Sequence, residues 1–205
     1  MRRRLVEHLR RRGLVHDPRV AGAFLAVPRE VFLPETLARS GMGAVYQDDA
    51  IVTRRDPATM APLSSSSQPA IMAIMLELLE LRPGHRVLEI GAGTGYNAAL
   101  LARLVDPDGL VVTLDIDPEI AEAAAGALRR FATGVHVVVG GGAGGRGGGR
   151  PASWSAGPPA PPPCPGWRSP EPRSTGSSSR PALPPSPRCG TSSSFWADGW
   201  WCRCA

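Results

Sequence analysis

Val87-Leu88-Glu89-Ile90-Gly91-Ala92-Gly93-Thr94-Gly95-Tyr96 is the stretch that decides the fold. Arg86 to Ile90 reads as a short buried strand, and Tyr96 to Leu104 as a helix. Between them stand three glycines in the spacing G-x-G-x-G. A strand, a glycine loop and a helix bring main chain close to a nucleoside, because glycine lacks the Cβ that would block the approach. The second strand, Leu110 to Asp115, ends in an acid at the distance where a carboxylate accepts from both ribose hydroxyls. The alternative for Asp115 is a cap on the next helix, for which Asp117, directly before Pro118, is better placed.

Outward from this loop the pattern repeats. Pro118 to Phe131 predicts an alanine-rich helix and Val135 to Val139 a third strand. Strand–helix alternation implies right-handed crossovers and a parallel sheet. Upstream, Leu5, Val6 and Leu9 mark an amphipathic helix over residues 3–12, ended by Gly13. Asp17-Pro18 caps and opens a second helix carrying Val20, Phe24 and Leu25. Val27 to Pro34 reads as an ordered connector. Residues 41–66 read as loop-like with an extended piece at Ala50-Ile51-Val52, and Ile71 to Leu81 as an apolar helix.

The chain divides into two materials near Gly140. Residues 1–139 hold 16 Arg against 16 Asp and Glu, whereas residues 140–205 hold 7 Arg against 2 acids, which supplies the whole net charge of +5. The basic balance therefore belongs to the tail, where Arg is dispersed among Pro and Ser without a stripe, and nucleic acid is not an expected partner. With 13 Gly and 13 Pro, residues 140–205 lack the apolar periodicity of a packed segment and are expected to be disordered. All four cysteines lie there; Cys202-Arg203-Cys204 lacks zinc-ligand spacing, and no metal is expected. No stretch reaches the roughly 20 apolar residues of a membrane helix. Charges at Glu7, His8 and Arg10 to Arg12 interrupt any signal-peptide core behind Arg2-Arg3-Arg4, so the expected location is cytoplasmic. His8, His16, His85 and His136 are scattered and enter no catalytic reading.

Glu89, two residues before Gly91, favours a methyl donor over a dinucleotide. Four features in order extend this to a family. Asp17-Pro18-Arg19-Val20 precedes Val27-Pro28-Arg29-Glu30-Val31-Phe32-Leu33; Tyr46 and Ile51 follow; then Ser67-Gln68-Pro69 with Met72-Ala73 and Met75-Leu76; then the glycine loop. Over residues 14 to about 140 the chain resembles the protein-L-isoaspartate O-methyltransferases. The resemblance implies an α/β, Rossmann-like S-adenosylmethionine-dependent methyltransferase fold, truncated here after the third strand, with N-terminal helices and a disordered C-terminal tail. The implied organisation is a helical, substrate-side region over 1–80, a partial methyl-donor domain over 81–140 and a Gly/Pro/Ser/Arg-rich tail over 141–205.

The resemblance implies S-adenosyl-L-methionine as methyl donor and isoaspartyl proteins or peptides as substrates of a monomeric repair enzyme. It implies a donor site from Glu89, Gly91, Ala92, Gly93, Thr94, Gly95, Asp115, Ile116 and Gly141, with Glu89 near the methionine ammonium, and Ser67 orienting the substrate carboxylate. A local alternative for Ser67 is a helix cap, and for Glu89 a buried paired carboxylate. Ser64 to Ser66 depart from the family's Thr-Ile and resemble relatives that modify aspartates of a precursor peptide, a second enzymatic reading.

At 140–142 the family's Gly-Asp-Gly is replaced by Gly140-Gly141-Gly142, which removes an expected contact to the adenine amine. GC-rich codons for Ser192 to Cys204, read from the last base of codon 192, spell Gln-Leu-Val-Leu-Gly-Gly-Arg-Val-Val-Val-Pro-Leu, similar to a family segment otherwise missing. The tail thus reads as a frameshift, and a non-catalytic fragment is the third reading. The first strand is then expected to present a bare, aggregation-prone edge, and methyl transfer is expected to be weak or absent.

Overall fold

The computed structural model describes residues 1–132, 134–140 and 201–204. Among the described residues, six helices, one 3-10 turn and six strands follow in order: α1 (Arg2–Arg11), α2 (Pro18–Ala26), the turn Arg29–Phe32, α3 (Pro34–Val45), β1 (Ile51–Arg55), β2 (Pro62–Ser66), α4 (Pro69–Leu78), β3 (Arg86–Ile90), α5 (Tyr96–Val105), β4 (Leu110–Asp115), α6 (Pro118–Arg129), β5 (Val135–Val139) and β6 (Trp201–Cys204). The elements around the glycine loop fall where periodicity places them, with β3, β4 and β5 matching residue for residue. The two Asp-Pro starts behave as their chemistry requires. Asp17 accepts from the Arg19 amide, and Asp117 accepts from those of Glu119 and Ile120.

The main sheet has the order β5-β4-β3-β6. β3 pairs in parallel with β4, from Arg86–Leu110 to Ile90–Leu114, and β4 in parallel with β5, from Val111–Val135 to Asp115–Val139. Both parallel connections run through helices, so the carboxyl ends of β3 and β4 open together at one rim, where ligands bind in such sheets. Leu100, Leu101, Leu104 and Val105 of α5, Phe24 of α2 and Val111 of β4 lie in one continuous buried cluster that also takes in Leu5, Leu9, Met72 and Leu76. Phe24 and Phe32 both contact the Tyr96 ring, with centroids 6.5 and 5.7 Å away. The N-terminal helices are thereby joined to the start of α5 by core packing.

Two expectations are corrected. Residues 41–66 are loop-like only in part: the extended piece expected at Ile51-Val52 is present as β1, but regular structure surrounds it. α3 continues to Val45 across a kink at Gly41, and β1 and β2 form an antiparallel hairpin from Ile51–Ser66 to Arg55–Pro62. Serine-rich β2 has little intrinsic strand preference, so its pairing with Ile51 and Val52 comes from tertiary context. The outer edge of β3 is not bare either. Trp201–Cys204 pairs with it antiparallel, from Arg86–Cys204 to Glu89–Trp201. An exposed strand edge offers main-chain donors and acceptors to any extended partner, whatever its side chains; composition argued against an element here because it does not register that demand. The remaining tail expectations, including those for Gly141, Cys164 and Cys189, lie outside the described residues.

Candidate methyl-donor site

The loop at the rim is built from left-handed glycines: φ is +93° at Gly91, +51° at Gly93 and +83° at Gly95. The amides of Gly91 and Ala92 both donate to the Leu114 carbonyl, at 2.7 and 2.8 Å, which anchors the turn to the end of β4. The Gly95 amide donates to the Ala92 carbonyl at 2.8 Å. A Cβ added at Gly91 would meet nothing within 4 Å, whereas one at Gly93 would lie 3.4 Å from the Ser65 carbonyl of β2. The first glycine faces open space and the second lies under the hairpin. Thr94 accepts from the Tyr96 amide at 3.4 Å, just inside the start of α5.

Asp115 stands at the same rim. One carboxylate oxygen accepts from the Gly93 amide and the other from the Asp117 amide, both at 3.1 Å. It is half-buried, and it does not cap α6, a role that Asp117 fills. Ile116 follows it with 79% of its surface exposed, a large apolar side chain left in solvent beside the loop.

Glu89 is buried. Its Oε1 accepts from the Asn97 side-chain amide at 2.9 Å, and its Oε2 has no hydrogen-bond partner. Burial pushes its carboxyl up to about 7; the neighbouring Thr113 hydroxyl and the Asn97 amide oppose this, and the Asp115 charge adds a smaller push upward. A carboxylate with an orphaned buried oxygen fits a cationic group such as the ammonium of an amino-acid donor. The folded chain holds the Glu89 proton to about pH 7, whereas the unfolded chain releases it near 4.5. Stability from this group is therefore full below about pH 4.5 and is lost as pH rises through 7, a loss of about 3 kcal/mol at about 1.4 kcal/mol per pH unit. Glu89→Gln is expected to raise stability in urea melts by about 2–3 kcal/mol at pH 8 and by under about 1 kcal/mol at pH 5. An equal effect at both values would contradict this.

Ser67 is exposed just past the end of the hairpin, two residues after Ser65, whose carbonyl overhangs Gly93. Its hydroxyl does not cap α4; the Ala70 amide donates instead to Asp48, at 2.8 Å. The fold thus gathers Glu89, Gly91, Ala92, Gly93, Thr94, Gly95, Asp115 and Ile116 at the ends of β3 and β4, with Ser67 two residues past the Ser65 carbonyl that overhangs Gly93. Sequence reasoning missed Arg29, Asp48 and Asn97. Arg29 stood in the quoted Val27-to-Leu33 segment without a role, and Asn97 sits on the first turn of α5, eight residues past Glu89.

The family model described as Protein-L-isoaspartate(D-aspartate) O-methyltransferase matches residues 1–152. The chain belongs to this family. It is 44% identical over 143 residues to a protein-L-isoaspartate O-methyltransferase of Methanopyrus kandleri, covering 69% of this chain and 58% of the relative. A relative from Aeropyrum pernix is 40% identical over 144 residues, covering 69% and 51%. The chain thus spans just over half the length of these relatives. A solved protein-L-isoaspartate O-methyltransferase superposes with a TM-score of 0.60 at 40% identity, over 69% of this chain and 43% of that one. A Plasmodium falciparum structure containing S-adenosyl-L-homocysteine superposes with a TM-score of 0.52 at 20% identity, over 65% and 60%, which shows the shared fold. Among the described residues, no helix is long and apolar enough to cross a membrane.

Proposed function

We propose that this chain carries the methyl-donor half of a protein carboxyl methyltransferase that acts on isoaspartyl residues of damaged proteins and peptides. The observation that carries the reading is the juxtaposition at one rim of the left-handed glycine loop, the Asp115 carboxylate and the Ser65–Ser67 segment. Bound there, S-adenosyl-L-methionine would supply an already activated methyl group. Asp115 would hold the ribose, Glu89 the ammonium, Ile116 would cover the base, and the open face of Gly91 would leave room for main-chain approach. The substrate carboxylate is ionised at neutral pH, with a reference pKa near 4. Alignment and exclusion of water are then the main tasks, with oxygen and methyl brought to about 3–3.5 Å. Ser67, exposed just past the hairpin, would orient that carboxylate.

Loss of the adenine contact at Gly141 costs one hydrogen bond, about 1 kcal/mol or roughly fivefold in affinity. Calorimetry with S-adenosyl-L-homocysteine is expected to show weak, saturable binding. Radiolabelled methyl transfer to an isoaspartyl peptide is expected to run at least about tenfold below the Methanopyrus kandleri relative. No binding at any accessible concentration would favour the non-catalytic reading. The serines at 64–66 favour one alternative substrate, an aspartyl precursor peptide; the same assay with aspartyl in place of isoaspartyl separates the two.

A further inference from the structure

Arg29 is an expensive residue to keep. Its side chain is fully buried, and Nε and Nη1 have no hydrogen-bond partner. An apolar side chain of similar size would fill this space without the cost of burying a cation, often at equal or better stability. What Arg29 touches explains its presence. Nη2 donates to the Ser67 carbonyl at 3.1 Å and lies 3.4 Å from the Ser66 hydroxyl. The guanidinium carbon sits 5.5 Å from the centre of the Tyr96 ring, a cation–π contact that offsets part of the desolvation. Tyr96 follows directly on Gly95 of the donor loop. The Arg29 amide in turn donates to the Tyr46 hydroxyl at 3.1 Å, and that hydroxyl donates to Glu30, so the base of the side chain is itself held.

We propose that Arg29 is a positioning residue that fixes the Ser66–Ser67 main chain against the start of α5, setting the distance between the substrate-side serine and the donor loop. It acts through Ser67 and touches neither substrate nor donor. The planar guanidinium can hydrogen-bond at its edge and stack on its face at once, which an ammonium cannot do. The proposal rests on the methyltransferase reading for its purpose, but its physical content stands apart from it.

The test is hydrogen exchange by mass spectrometry on the full chain and on R29A and R29K. In R29A, exchange of the peptide spanning 64–68 is expected to accelerate about tenfold, while peptides of α5 and β4 stay within twofold and affinity for S-adenosyl-L-homocysteine within threefold. Methylguanidinium added to R29A is expected to restore slow exchange at 64–68, a rescue that a generally loosened core would not show. R29K is expected to fall between the two, and it serves as the readout if R29A does not fold. Unchanged exchange at 64–68 would overturn the proposal, as would uniform acceleration of all peptides. Failure of the unaltered chain to bind S-adenosyl-L-homocysteine would instead sink the donor-site reading and leave the exchange data to decide on Arg29.

Discussion

Asp115→Ala is expected to weaken binding of S-adenosyl-L-homocysteine by at least about 100-fold in calorimetry. In the free chain its two carboxylate oxygens each take a main-chain N–H, from Gly93 within the loop and from Asp117 at the head of α6. Each hydrogen bond to a charged group contributes about 1.5–3 kcal/mol. The substitution removes the acceptors proposed for the two ribose hydroxyls and also releases the middle glycine of the loop. Two such losses give about 3–6 kcal/mol, or roughly 10² to 10⁴ in affinity. Asp115→Asn keeps one acceptor oxygen without the charge, so it should recover part of the binding, to within about tenfold. The stability cost should be about 3 kcal/mol, the low end for the two main-chain bonds lost, because α6 keeps its own cap at Asp117. Binding by Asp115→Ala within threefold of the unaltered chain would remove Asp115 from the site.

How much of this was legible beforehand depends on how local each signal is. The loop, β3, β4 and β5 were readable because glycine at positive φ, short apolar runs and Asp-Pro caps act within a few residues. Asp115 could be separated from Asp117 by spacing alone, and their hydrogen bonds divide in that way. The hairpin was not readable. Pro62-Leu63-Ser64-Ser65-Ser66 looks like a loop by composition, and it becomes a strand only when Ile51 and Val52 come alongside. β6 failed for a related reason: the vacancy it fills belongs to β3, some 110 residues earlier in the chain. Arg29 shows the same limit at a single residue. An arginine in a sequence reads as surface charge. Only the fold reveals that it lies under Ser67 and over Tyr96.

Gly95→Val is expected to destabilise the chain by about 3–5 kcal/mol in urea melts and to abolish donor binding, and Gly91→Ala separates the two causes. Both positions hold a left-handed backbone, +83° at Gly95 and +93° at Gly91, which costs a side-chain-bearing residue about 1–3 kcal/mol. They differ in what a Cβ would meet. At Gly95 it would sit 3.2 Å from Leu128 Cγ and Cδ1 and 3.3 Å from the Ala124 carbonyl. Leu128 can shift, but the carbonyl belongs to α6 and can move only with the helix, so the branched side chain of Val adds overpacking of about 1–3 kcal/mol to the strain. At Gly91 a Cβ would meet nothing within 4 Å, so Ala there carries strain alone, about 1–2 kcal/mol. If that open space is where the donor lies, Gly91→Ala should lose at least about tenfold in affinity for S-adenosyl-L-homocysteine while the fold survives. The outcome against this reading is equally plain: Gly91→Ala binding as tightly as the unaltered chain would mean that the space beside the first glycine is not used, and that the loop shapes the fold without cradling a ligand there.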